Sequence, residues 1–276
     1  MPGNPLLDFS GLPRFTEITP EHVGPAIDQL LVEAEAAVRH AESVSPVQWE
    51  TFVEPLDDAT ERLWRAWGQV SHLQAVVNTP ALREAYNDNL PKVTRFGAAL
   101  GQYRALADSP AFATYDVARR KVVENALRDF HLGGAELGET EKARFAEIQE
   151  TLSSLSARFS QNVLDATDAY ALYLHEEAEL AGLPADTVAM CRAAAEQEGK
   201  AGWKLGLQMP CYLPVQAYAE NCGLRETLYR ASAVRASEFD LPERANRMAI
   251  NKILALRTEL AALLGFASHA DYPVAT

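Results

Sequence analysis

His175-Glu176-Glu177-Ala178-Glu179 comes nearest of any stretch in this 276-residue chain to a reactive motif. A hydrolytic zinc helix reads H-E-x-x-H: histidines four residues apart project from one face, and the Glu beside the first activates a bound water. Here the fifth position is Glu179, not a second histidine, and the stretch follows residues of strand character. It reads as a solvated acidic turn. Asp57-Asp58 and the pair Asp165 and Asp168 offer carboxylates for acid–base work, but an exposed helix surface accounts for them equally well. The six histidines, His22, His40, His72, His131, His175 and His269, stand singly. His22 in a first helical turn and His72 beside Ser71 read as packing or surface residues. No G-x-S-x-G elbow, G-x-G-x-x-G fingerprint or P-loop occurs. Residue by residue, then, the chain offers no catalytic residue, no metal ligand and no identifiable substrate-lining position.

Cys191, Cys211 and Cys222 are an odd number at wide spacings, with no C-x-x-C pair. They read as free thiols in a reducing compartment. The formal net charge of −13 repels phosphate backbones, and the densest basic run, Arg119-Arg120-Lys121, is flanked by Asp116 and Glu124. No nucleic-acid partner is expected. Met1-Pro2-Gly3-Asn4-Pro5 shows no basic leader followed by an apolar run, and no stretch is apolar for long enough to span a bilayer. A cytoplasmic location with no membrane partner is expected. With 48% apolar and 23% charged residues the composition is that of a folded globular chain, long enough to bury roughly three quarters of its unfolded surface without a metal or disulfide.

Helical periodicity dominates the elements around these residues. Thr19-Pro20 caps and opens a helix whose stripe is Val23, Ala26, Ile27, Leu30, Leu31, Ala34, Val38 and Ala41, with Pro25 as a bend. A second pattern runs from about Pro46 to Val77 through Trp49, Phe52, Val53, Leu56, Leu63, Trp67, Val70 and Leu73, kinked at Pro55. Asn78-Thr79-Pro80 starts a third through Leu82, Tyr86, Val93, Phe96, Leu100 and Tyr103. Ser109-Pro110 starts a fourth that reaches Phe130 before Gly133-Gly134. Phe145, Ile148, Leu152, Leu155, Phe159 and Val163 form the cleanest stripe, and Ala249, Ile253, Leu256, Leu260 and Leu263 the last, ended by Gly265. The tryptophans mostly fall on such stripes and read as core. The period shortens to two at Tyr170–Leu174 and at Trp203, Leu205, Leu207 and Met209, enclosing a helical stretch over Ala185–Glu198. The expected fold is mainly α: a bundle-like array of helices with one small two-stranded β-ribbon around 170–174 and 203–209.

Leu12-Pro13-Arg14-Phe15-Thr16-Glu17-Ile18-Thr19-Pro20-Glu21-His22-Val23, running on to Pro25-Ala26-Ile27, resembles the opening of the oligopeptidase A branch of the thimet oligopeptidase family of zinc metallopeptidases. Further blocks follow in the same order: Ser71-His72-Leu73, Leu82-Arg83-Glu84-Ala85-Tyr86, Asn125-Ala126-Leu127-Arg128-Asp129-Phe130, Phe159 to Thr167, Tyr212-Leu213-Pro214-Val215, Leu254-Ala255-Leu256-Arg257 and Leu264-Gly265-Phe266. The resemblance implies a longer parent in which an H-E-x-x-H helix and a further Glu hold zinc beyond position 276. It carries no catalytic or zinc-ligating residue onto this chain. Residues 1–276 are then expected to be the N-terminal helical domain, one wall of a peptide channel, inactive alone and without a cofactor of its own. Zinc belongs to the full-length protein, the missing C-terminal portion is the expected partner, and short peptides are the parent's substrates. Because the pattern would run on past Pro273-Val274-Ala275-Thr276, a truncated form is expected. The competing reading is a self-sufficient helical module that binds peptides or proteins without catalysis.

Overall fold

Val23, Ala26, Ile27, Leu30 and Ala34 recur on one face of the first helix and are wholly removed from water, and the first unit of the fold assembles around them. A computed structural model describes residues 3–99 and 110–275. These form two compact units, one of the residues up to Ser154 together with those from Leu254, the other Leu155–Ile253.

In the first unit α1 (Pro20–Ser43) opens as its sequence dictates, with Pro20 in the first turn, where its missing N–H has no partner to lose. His22 Nδ1 accepts the backbone N–H of Thr19 at 3.1 Å, so this histidine closes the helix start. Pro25 lies inside α1. The α1 stripe meets Leu63, Ala66, Val70 and Leu73 of α2 (Glu54–Val76) and Leu82, Val93 and Phe96 of α3 (Pro80–Ala99), with Leu6 closing the cluster. Each such aliphatic side chain contributes about 1.5–3 kcal/mol by leaving water. The second helical pattern starts later than Pro46. Trp49–Val53 winds as one π-helical turn, and Pro55 sits in the first turn of α2, not at an internal kink. Leu100, Tyr103 and Ser109 of the expected stripes lie outside the described residues.

The helix expected from Ser109-Pro110, the fourth among the described residues and here α4 (Val117–Leu132), does not begin at Pro110. Pro110–Thr114 is a short 3-10 turn, and Asp116 is the better cap because its carboxylate accepts the Arg119 N–H at 2.8 Å. Helix α5 (Glu139–Ala169) buries Phe145, Ile148 and Leu152 as its stripe requires. Beyond them the pattern fails. Leu155, Phe159 and Val163 are half-buried, while Gln161, Asn162, Ala166 and Thr167 are buried, because the partners that meet this part of α5 are polar. None of the four tryptophans is fully buried either: Trp49, Trp67 and Trp203 are half-buried and Trp64 is exposed. Their rings cover the flanks of clusters, as where Trp67 stacks on Tyr86 at 4.8 Å.

In the second unit β1 (Leu172–Leu174) pairs antiparallel with β2 (Trp203–Leu205), in the register Leu172 to Leu205 and Leu174 to Trp203. Between them lies α6 (Ala185–Gln197). The ribbon is shorter than expected because Pro210 cannot extend a ladder; the chain turns at Gln208 into α7 (Met209–Tyr218), leaving Met209 exposed rather than on a buried strand face. Gly202 makes the entry into β2 possible. Its φ is +90°, and a Cβ there would lie 2.1 Å from the Leu174 carbonyl oxygen. Helix α8 (Cys222–Ala233) follows, and the last helix, α9 (Arg247–Leu263), ends in a Schellman turn. Gly265 has φ +78°, Phe266 N–H donates to the Ala261 carbonyl at 2.8 Å, and Gly265 N–H donates to that of Ala262 at 3.1 Å.

The polar side of this unit centres on Asn246, which is 2% exposed. Its Nδ2 donates to the Phe159 carbonyl at 3.0 Å and its Oδ1 accepts from Asn162 Nδ2 at 2.9 Å. Its backbone N–H donates to Ala236 and its carbonyl accepts from Ile250, both at 2.8 Å.

Two substitutions test this division of labour by urea unfolding. Leu30→Ala opens a cavity in the first cluster and should cost about 2–5 kcal/mol. Asn246→Ala leaves the Asn162 amide and the Phe159 carbonyl without partners and should cost about 1–3 kcal/mol. A loss of only a few tenths for Asn246→Ala would mean that the amide pair is not what joins these segments.

Candidate functional site

The acidic cluster singled out by its composition folds into a turn that uses its own carboxylate. Glu177–Leu180 is a 3-10 turn, and the Glu179 side chain accepts the Glu176 backbone N–H at 3.3 Å. His175, Glu176 and Glu177 are exposed at the end of β1. Asp57 and Asp58 lie on the exposed start of α2. Asp168 accepts Gln208 Nε2 at 3.1 Å, while the Asp165 backbone carbonyl faces Arg244 Nη1 at 3.4 Å. Neither pair belongs to a group of three or more potential metal ligands among the described residues.

The histidines are dispersed as well. His22 closes α1, His72 lies against Phe15 with ring centroids 5.2 Å apart, and His131 faces Glu136 at 2.9 Å. His269 packs beside Tyr272, and burial, aided by the positive charge of Arg257, holds its pKa below the ordinary value. Among the described residues no group of three or more His, Cys, Asp or Glu side chains is placed to hold a metal ion. The donor set does not fit a hydrolytic zinc, which needs several such ligands converging on one point.

Two polar arrangements escaped the sequence. On the ribbon, Glu198 accepts hydrogen bonds from Lys204 Nζ and from the Tyr173 hydroxyl, Lys200 Nζ comes within 3.5 Å of the same carboxylate, and that ammonium also stands 3.9 Å over the Tyr173 ring. The hydrogen bond from Lys204, then that from Tyr173, pulls the Glu198 pKa down to about 2. In the first unit a hollow of about 460 Å³ opens between Gln48–Glu50 and Ala111–Arg119. Its charged residues are already engaged: Arg119 lies 4.9 Å over the Trp49 ring and 3.6 Å from Glu50, and Asp116 caps α4. Both arrangements pair each charge with an opposite charge or a donor. Neither presents a nucleophile beside a base.

Helix α7 is a different kind of surface. From Leu205 to Ala219 no residue carries a formal charge. One side of the helix buries Cys211 and Val215, and the other leaves Met209 and Leu213 half exposed, at 49% and 56%. A helix apolar on both sides ordinarily lies inside a protein. No helix of the described residues is long and apolar enough to cross a membrane.

Comparison with known proteins places these features. Residues 27–142 match the family model described as Neurolysin/Thimet oligopeptidase, N-terminal domain. Oligopeptidase A of Haemophilus influenzae is 42% identical over 282 residues, 99% of this chain and 41% of that protein. Oligopeptidase A of Salmonella typhimurium is 42% identical, again over 99% of this chain and 42% of that protein. The probable cytosolic oligopeptidase A of Arabidopsis thaliana is 36% identical over 99% of this chain and 40% of its own length. The chain therefore spans about two fifths of the length of these relatives.

Glu198 gives a pH test. Its folded pKa of about 2 lies below the ordinary 4.5, so its bonds to Lys204 and Tyr173 contribute fully above pH 4.5 and are lost as pH falls through about 2. Lys204→Gln removes the largest cause, and the Glu198 carboxyl midpoint, followed by NMR, should climb back towards the ordinary carboxylate range. A midpoint that stays where it was would show that Lys204 does not hold this proton off.

Proposed function

We propose that the chain belongs to the family whose N-terminal domain model its residues 27–142 match, that of neurolysin and thimet oligopeptidase, and that it is the N-terminal helical domain of a zinc-dependent oligopeptidase that hydrolyses short peptides. In this reading residues 1–276 supply a wall of the substrate channel, and zinc and the groups that activate water are supplied by the polypeptide that makes up the rest of the longer relatives. The observation that carries it is the alignment itself: 42% identity across 99% of this chain and 41% of the Haemophilus influenzae protein. Two features agree with it. No H-E-x-x-H spacing occurs in the sequence, and among the described residues no three His, Cys, Asp or Glu side chains gather to hold a metal. The uncharged outer side of α7 suits a surface covered by the remaining polypeptide, since apolar patches of this kind mark interaction sites. A cytoplasmic location goes with this reading, in keeping with the relative named as cytosolic.

Purified alone, the chain is expected to carry no stoichiometric zinc by elemental analysis and to leave a quenched fluorescent oligopeptide uncut. Adding the H-E-x-x-H-bearing remainder of a relative should raise its melting temperature and restore chelator-sensitive cleavage. Zinc held tightly by the 276 residues alone, together with cleavage abolished by a chelator, would overturn the proposal.

A further inference from the structure

Cys191 and Cys211 stand 20 residues apart in sequence, yet their sulfurs lie 3.7 Å apart. Both are free and both are buried, at 1% and 6% exposure. Cys191 sits within α6 and Cys211 in the first turn of α7, and the segment between them contains β2. They share an apolar cluster with Leu174, Leu205, Leu207, Val215 and Leu228. The third thiol is differently placed: Cys222 is exposed at the start of α8 and accepts from Arg225 Nη2 at 2.9 Å.

Two sulfurs in contact need close by only about 1.6 Å to reach disulfide length. We propose that Cys191 and Cys211 form a reversible dithiol–disulfide site that responds to peroxides. Their environments are unequal. The hydrogen bond from the Cys191 thiol lowers the pKa of Cys211, against the effect of burial and with help from the Gly206 backbone N–H, whereas that contact and burial push Cys191 up. Cys211 is also the less deeply buried of the two, which makes it the attacking sulfur. Its thiolate attacks one oxygen of hydrogen peroxide, the O–O bond breaks, and the departing hydroxide takes up the proton that the Cys211 thiol had given up, leaving water and a sulfenic acid on Cys211. The Cys191 sulfur then attacks the sulfenic sulfur, and the hydroxyl leaves with the Cys191 proton as water. In sum two thiols and one peroxide give one disulfide and two waters, the two thiols supplying the two electrons. The bond would staple α6 to the start of α7 and close a loop around β2, which restricts the unfolded chain more than the folded one. The inference concerns the second unit alone and stands apart from the proposed peptidase role.

The test uses the full chain with Cys222 removed as a competitor. After hydrogen peroxide treatment of folded Cys222→Ser, the thiols titrated in denaturant should fall from two to none. The product should stay monomeric, yield one peptide pair joined at 191 and 211 by mass spectrometry, melt at a higher temperature, and regain both thiols in dithiothreitol. Cys191→Ser in the same background should stop at a Cys211 sulfenic acid that dimedone traps. Should Cys222→Ser fold poorly, wild-type protein alkylated at the exposed Cys222 serves in its place. Two thiols that stay reduced under peroxide sufficient to oxidise Cys222 in the wild type would overturn the proposal. So would a sulfinic acid at Cys211 with no cross-link.

Discussion

Every polar atom that Asn246 brings into the interior of the second unit has a partner, and these bonds decide how three distant segments meet. Through its side chain the residue holds the Phe159 carbonyl and the Asn162 amide of α5. Through its backbone it holds Ala236 at one end of a loop and starts α9 at the other. Hydrogen bonds are directional, so an amide at this depth accepts only one arrangement of its neighbours; buried and unpaired, it would cost about 1–3 kcal/mol. Two neighbouring arginines are paired as well, although Arg244 Nε is buried without a partner. Arg235 Nη1 donates to the Thr167 hydroxyl at 2.8 Å, and Arg244 Nη2 donates to the Asp240 carboxylate at 2.6 Å. Partial burial alone would raise the Asp240 pKa, yet Arg244 and the N–H groups of Ala236 and Leu241 hold it low.

The first unit is built on the opposite principle. The α1 stripe meets α2 and α3 through aliphatic and aromatic contacts that have no preferred direction, and its ion pairs lie at the periphery. There the guanidinium of Arg144 grips Glu259 through two bonds of 2.6 and 2.7 Å. Such contacts fix which helices adjoin, and the small and large side chains along the stripe fix their spacing. In neither unit do the described residues assemble acidic and imidazole groups around a common point. That requirement, more than the presence of reactive residue types, separates a catalytic surface from an ordinary one.

The helices legible in the sequence are those whose buried faces are apolar and whose ends carry their own signals. Thr19-Pro20, Thr79-Pro80 and Gly265 mark helix ends where the structure has them, because proline and positive-φ glycine act locally. The distal half of α5 departs from the apolar stripe for a physical reason. Three of its four buried positions, Gln161, Asn162 and Thr167, are polar, with partners as far as 84 residues away, and periodicity counts only apolar side chains. Pro110 does not open the helix because Tyr115 turns into a cluster with Phe52, Val53 and Val123, leaving Asp116 to start it. The acidic turn at Glu176–Glu179 was legible as a turn, its spacing being wrong for a metal. The contact of Cys191 with Cys211 and the convergence of Lys204 and Tyr173 on Glu198 were not, since both depend on the ribbon folding back. No local spacing encodes that.

The uncharged run that forms α7 sits in a chain whose net charge is −13. Like-charged molecules stay dispersed because their surfaces repel, and the repulsion is weakest wherever a surface carries no charge. Along Met209 and Leu213 that repulsion has no local charge to draw on. An acidic residue on the outer side of this helix would extend the repulsive surface over a stretch that carries no formal charge.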